Sequence, residues 1–226
     1  AVTGLPLEER DGKYLAANDI HFPTTRDFGV DGKYTPVTIT SSDADTIVPP
    51  DVNNAARAEV YRPLPGEAAK DVTVTVTITD SDSGVSASRS FLIAVQPLTQ
   101  AEIDAELALM AAVRAHYFDG IRNANTDAKN ILTDLHPFRE AYLDADGQLV
   151  WVYDHADLTG SGIVPVAMDG WTESEQWRLF RSTDPGVISH ENLLVTRAAG
   201  DKTVTVSSEL SSETLGKYAA RYPDNK

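Results

Sequence analysis

Cysteine is absent from all 226 residues of the chain. This excludes a disulfide framework, a cysteine-type zinc site and a thiol nucleophile. Long apolar runs are missing as well, and no stretch approaches the ~20 apolar residues that a membrane-spanning helix requires. Basic residues are scarce: 19 Lys and Arg stand against 34 Asp and Glu, a formal charge of −15. A field of that sign repels phosphate backbones and anionic lipid, which argues against nucleic-acid and membrane-surface binding. No basic-then-apolar leader opens the sequence, so an export signal is expected to have been removed or to precede this stretch.

Missing motifs narrow the chemistry further. There is no Gly-x-Ser-x-Gly elbow, Gly160-Ser161-Gly162 being too short, and no phosphate-cradling glycine loop. His21, His116, His136, His155 and His190 are scattered, with no His-x-x-x-His pair. Asp144-Ala-Asp-Gly147 has the look of a calcium loop, but the sixth-position glycine and twelfth-position glutamate are not there; His155 stands twelfth. A hairpin turn accounts for it better. Glu173 and Glu175 lack any sign of the opposed placement that a glycosidase pair needs.

What the sequence has in abundance is β signal. Val72, Val74, Val76 and Ile78 alternate with Thr73, Thr75, Thr77 and Thr79, the period-two pattern of a strand with one buried face. Asp80-Ser-Asp-Ser-Gly84 is turn chemistry, and Phe91, Ile93 and Val95 alternate on the return, which predicts a hairpin. Val37 and Ile39 alternate with Thr38 and Thr40 before a turn-rich Ser41 to Asp45. A helix is expected from Thr99 to about Arg122. Thr99 and Glu102 have capping-box spacing, Leu98 and Ile103 staple spacing, and Ile103, Leu107, Met110, Val113, Tyr117 and Ile121 form one stripe. Leu215, Tyr218, Ala219 and Tyr222 mark a second, short amphipathic helix stopped by Pro223.

An internal repeat organises these elements. Asn18-Asp-Ile-His-Phe-Pro23 resembles Thr133-Asp-Leu-His-Pro-Phe138, 115 positions later. Val37 to Asp43 resembles Trp177 to Thr183, 140 positions later, each followed by an Ile/Val pair. Val60-Tyr-Arg62 matches Val195-Thr-Arg197, and Val72-Thr-Val74 matches Val204-Thr-Val206. The second copy thus carries 25 extra residues between its first two strands. The matched His21 and His136 suggest a repeated structural hydrogen bond. The second copy lacks the first copy's hairpin return, so its sandwich is expected to be completed beyond Lys226 or to leave an open edge.

Ser41-Ser42-Asp43, Ile47, Val60-Tyr-Arg62-Pro63, Val72 to Ile78 and Phe91 to Val95 together resemble the atypical bacterial immunoglobulin-like domains of Gram-positive multidomain surface proteins. The match covers most of residues 18–96 and, more loosely, 131–208. The resemblance implies a mainly β fold of tandem immunoglobulin-like β-sandwiches, with one linking amphipathic helix and a short C-terminal helix. It implies domains at 1–97 and 98–226, the latter with an insertion at about 140–171. It also implies a non-catalytic spacer or adhesion unit on the cell surface, without cofactor or metal; the family has no shared catalytic residues to carry over.

The insertion holds the alternative. Trp151, Trp171 and Trp177 are all the tryptophans of the chain, and Tyr142 and Tyr153 lie near them. Aromatic rings on a β surface stack on sugar rings, so these five residues are the candidate ligand site of a carbohydrate-binding accessory module, with host or cell-wall glycan or protein as partner. The competing expectation is burial: Leu149, Trp151 and Tyr153 alternate with Val150 and Val152, so one set must face inward.

Overall fold

A computed structural model describes residues 8–22, 36–50, 57–168, 178–197 and 199–218. The protein is mainly β and divides into two units, Ala1–Glu102 and Ile103–Lys226. Trp171 and Trp177 lie outside the described residues.

The first unit contains β1 (Glu9–Arg10), β2 (Lys13–Ala16), β3 (Ile20–His21), β4 (Val37–Ser41), β5 (Ile47–Val48), β6 (Arg57–Val60), β7 (Lys70–Thr79) and β8 (Ser86–Val95). They form two sheets, one in the order β1-β2-β8-β7-β4 and one in the order β3-β6-β5. Pairing is antiparallel except between β2 and β8, which run parallel with Tyr14 beside Ile93 and Ala16 beside Val95. The β7–β8 hairpin pairs ten residues with ten, closed by Asp80, whose Oδ1 accepts the Ser83 N–H at 2.7 Å. Val72, Val74, Phe91, Ile93 and Val95 from one sheet and Ile20, Ile47 and Val60 from the other share one hydrophobic cluster, the layering of a β-sandwich. The alternate residues face water, and Thr75–Ser90, Thr77–Ser88 and Thr79–Ser86 join hydroxyls across the hairpin at 2.8 Å.

The expected capping box forms. Thr99 donates its N–H and its hydroxyl to Glu102, and the Glu102 N–H returns to Thr99 Oγ1, opening α1 (Gln100–Ala115). The helical run is not continuous to Arg122: it breaks at His116 and resumes as α2 (Tyr117–Ile121). Ile103, Met110, Val113 and Ile121 are buried as the stripe requires, with Leu109 beside them. No helix among the described residues is long and apolar enough to cross a membrane.

The second unit continues with β9 (Glu140–Leu143), β10 (Leu149–Val152), β11 (Ile163–Val166), β12 (Arg181–Ser182), β13 (Val206–Ser207), β14 (Glu209–Ser212) and α3 (Glu213–Gly216). Asp144 to Gly147 is a hairpin turn between β9 and β10, with Asp144 Oδ1 accepting the N–H groups of Asp146 and Gln148. The insertion thus supplies three strands, β9 to β11, to a sheet ordered β10-β9-β11-β14. Val166 pairs with Glu209 and Arg181 with Ser207, so the inserted β11 and β12 take successive stretches of the same run of chain. Residues 209–212 are strand where the sequence offers no hairpin return, and the C-terminal helix is shorter than its apolar spacing predicts. Leu215 is fully buried, and Ala219 and Tyr222 lie outside the described residues.

Candidate functional site

The side chains with most chemical potential are carboxylates, and the structure uses them on turns. Asp19 Oδ1 accepts the Val60 backbone N–H at 2.7 Å, and its other oxygen pairs with Arg57. Asp134 Oδ1 accepts the Val195 N–H, also at 2.7 Å. Ser41 Oγ accepts the Asp43 N–H and Ser182 Oγ the Asp184 N–H, both at 3.2 Å. The Ile47 N–H reaches the Asp43 carbonyl and the Ile188 N–H the Asp184 carbonyl, both at 3.0 Å. Ser42 and Thr73 exchange bonds through backbone and hydroxyl, as do Thr183 and Thr205. Lys70 pairs with Asp43 and Lys202 with Asp184, and each lysine holds its aspartate below the usual carboxyl value against a smaller desolvation effect.

These bonds correct two details of the sequence reading. They align Asp43 with Asp184 and Ile47 with Ile188, 141 positions apart, one more than the spacing from Val37 to Trp177. The matched polar pair at the start of each repeat is not the histidines but the aspartates two residues before them. His136 instead stacks on Tyr153, ring centroids 4.4 Å apart.

Within the insertion, Glu140 is the organising group, a role its sequence context did not announce. Its side chain is fully buried on β9. Its carboxylate accepts N–H groups from Thr159 at 2.7 Å, Gly162 at 2.8 Å and Ser161 at 3.1 Å, and the Thr159 hydroxyl as well. Burial alone would raise its pKa; the converging donors outweigh that and bring it below the ordinary value. Gly162 is required because a Cβ there would stand 2.5 Å from the Ala141 carbonyl oxygen and 2.7 Å from Glu140 Cγ. The Gly160-Ser161-Gly162 run is therefore an anion-binding loop filled by the protein's own carboxylate.

The aromatic set divides between the faces of this sheet. Trp151 and Tyr153 pack on the core side, with Trp151 edge-on to Phe138 at 4.8 Å between centroids. Its indole lies against Gly120, where an added Cβ would come within 2.4 Å of the ring. Tyr142 pairs with Val150 on the other face and is half-buried. Burial pushes the Tyr153 hydroxyl up, with Arg122 opposing.

No family model matches this chain, and no curated protein matches it. Residue geometry therefore carries the functional reading by itself.

Glu106 of α1 and Ser212 of β14, and Tyr117 at the start of α2, form a polar seam. Burial pushes the Tyr117 hydroxyl up to about 12, and among the described residues neither that hydroxyl nor the buried Ser208 Oγ has a hydrogen-bond partner. Burial likewise raises Glu106, partly offset by Ser212.

Proposed function

We propose that the chain is a non-catalytic extracellular surface module, a spacer or adhesion unit of a larger Gram-positive bacterial protein, built from two diverged immunoglobulin-like β-sandwiches. The observation that carries the reading is the recurrence of one hydrogen-bond frame, in the same chain order, in both units. Asp19/Val60, Ser41/Asp43/Ile47 and Ser42/Thr73 in the first have counterparts Asp134/Val195, Ser182/Asp184/Ile188 and Thr183/Thr205 in the second. The first unit's strand order supports the immunoglobulin-like assignment: β3-β6-β5 has the sequence of strands B-E-D and β4-β7-β8 that of C-F-G.

The non-catalytic part rests on how the acids are employed. Asp19, Asp43, Asp134, Asp184 and Glu140 each accept backbone N–H groups, the first and third from β-paired Val60 and Val195 and the others from turns or loops, which occupies oxygens a catalytic acid or base must present to a substrate. The carbohydrate-binding alternative loses support from the packing of the half-buried Trp151 ring against Phe138 and Gly120.

A glycan array and a hydrolase panel on the purified chain test the activity, and antibody labelling of intact source cells tests the location. The proposal expects surface labelling with neither turnover nor a specific glycan signal. Reproducible turnover would overturn it, a specific glycan signal would favour the alternative, and a wholly internal pool would remove the surface assignment.

A further inference from the structure

The second repeat closes one of its hairpins more tightly than the first. The bridge between Ile188 and Val195 spans seven positions, whereas its counterpart between Ile47 and Val60 spans thirteen. Buried Leu193 takes a left-handed φ of 58° within the short turn, and Ser189 Oγ accepts the Leu194 N–H at 3.1 Å. On this turn stands His190, whose Nδ1 accepts the backbone N–H of Ser182 at 3.0 Å. Ser182 lies on β12 and is buried. The next residue, Thr183, sends its N–H to the Thr205 carbonyl on the β13 side. Successive residues of a strand point their N–H groups to opposite edges, so the Ser182 N–H faces the other edge of β12, where the imidazole caps it. The position 141 residues earlier, which aligns with His190 in the first repeat, is Pro49, a residue with no side-chain acceptor.

We propose that His190 is a pH-sensitive latch of the second unit: its neutral ring ties the 188–195 hairpin to β12, and its protonated ring releases that strand edge. The inference goes beyond the surface-module reading and does not depend on it. The donor in the contact is a backbone amide, so the accepting nitrogen must carry a lone pair. Nδ1 is therefore bare and the ring proton sits on Nε2. An imidazolium has N–H on both nitrogens and no acceptor. Protonation thus sets two donors against each other and strands the N–H of a buried residue. The charged groups of the surrounding elements are Arg181 on β12, Asp184 in the turn that follows it, and Glu191 beside His190 on the hairpin. Asp184 pairs with Lys202 at 3.0 Å and Glu191 with Arg178 at 3.3 Å. Carboxylate, ammonium and guanidinium groups ordinarily titrate outside the imidazole range, so the imidazole is the group whose charge changes there. The hairpin keeps a separate anchor, the Val195 N–H on Asp134, so release loosens the hairpin from β12 and leaves the hairpin itself closed. The contribution of the latch is present at the alkaline side and lost as pH falls.

Nitrogen NMR of the His190 ring in the full chain tests the geometry without any substitution. At about pH 8 the ring proton must sit on Nε2, and finding it on Nδ1 would overturn the proposal. Hydrogen exchange of the Ser182 amide, expressed as protection relative to an unstructured peptide at the same pH, tests the release. Protection is expected to fall roughly tenfold or more as the ring takes up its proton between about pH 8 and 5, while the β7–β8 amides of the first unit hold theirs. His190→Asn places an amide oxygen where Nδ1 stands, and that oxygen accepts without titrating. Ser182 should then keep its protection across the range, and the other four histidines remain in both proteins, so the comparison isolates His190. Unchanged protection in the parent while the ring titrates, or the same fall in His190→Asn, would remove the latch. If the asparagine fails to hold the amide at any pH, the parent decides: protection that tracks the ring's charge supports the latch, and protection that ignores it removes it.

Discussion

Asp134 accepts the backbone N–H of Val195 at 2.7 Å across 61 residues of sequence, and so ties the start of the second repeat to an isolated β-bridge that follows the insertion. In the first unit Asp19 makes the same bond to Val60, but with Arg57 on its second oxygen and only 10% of its side chain exposed. Asp19→Ala is therefore expected to cost more, about 1–3 kcal/mol, because it strands a part-buried N–H and a charge-assisted partner. Asp134→Ala, on an exposed bond, should cost less. Urea unfolding of the two variants checks the order, and equal losses would contradict it.

Glu140 and Glu106 should respond to pH in opposite senses. The Glu140 pKa is depressed in the folded state, so its contribution is fully present above the ordinary glutamate value and lost as pH falls through the lower folded value. Glu140→Gln turns one acceptor into a donor facing N–H groups. It is expected to cost about 1.5–3 kcal/mol at neutral pH for each bond lost to the charged group, and progressively less in acid. Melting curves from pH 7 downward measure the convergence.

Glu106 is raised by burial, so folding favours its protonated form. Its contribution is present at low pH and lost as pH rises through the folded value. Glu106→Gln should accordingly raise the melting temperature at neutral pH by a few degrees and change little in acid. A uniform gain or loss at every pH would assign the effect to packing instead.

Arg62 brings the Glu102 carboxyl down to about 2, chiefly through its hydrogen bond; desolvation opposes the shift and Thr99 assists it. Arg62→Met should return that pKa toward the ordinary value of 4.5, visible in a carboxyl NMR titration. The pair's contribution is present above that ordinary value and lost as pH falls toward about 2, so the variant should lose most of its difference from the parent in strong acid.

Gly120→Ala drives a methyl into the Trp151 ring, and overpacking of this kind costs about 1–3 kcal/mol. Trp151→Ala removes the half-buried ring from between Phe138 and Gly120 and should cost about 3 kcal/mol, the low end for large-to-small core changes. A near-neutral Trp151→Ala, combined with lost glycan binding, would restore Trp151 to the ligand-binding role the sequence suggested.

The amino-acid sequence by itself determined the elements whose signals are local. Period-two Val/Thr alternation specifies β7 and its buried face, Asp80 to Gly84 the turn, and Thr99 with Glu102 the helix start, because each pattern is written within a few residues of where it acts. The order of the repeated motifs was legible for the same reason. Only the tertiary structure decided what depends on residues distant in the chain. These are the parallel contact of β2 with β8, the burial of Glu140 under loop 159–162, the side on which Trp151 packs, and β11 and β12 succeeding each other along one run of chain. A carboxylate in sequence carries no mark of whether water or four converging donors will surround it, and a strand carries no mark of which edge its partner will take. Those outcomes are set by the packing of segments tens of residues apart.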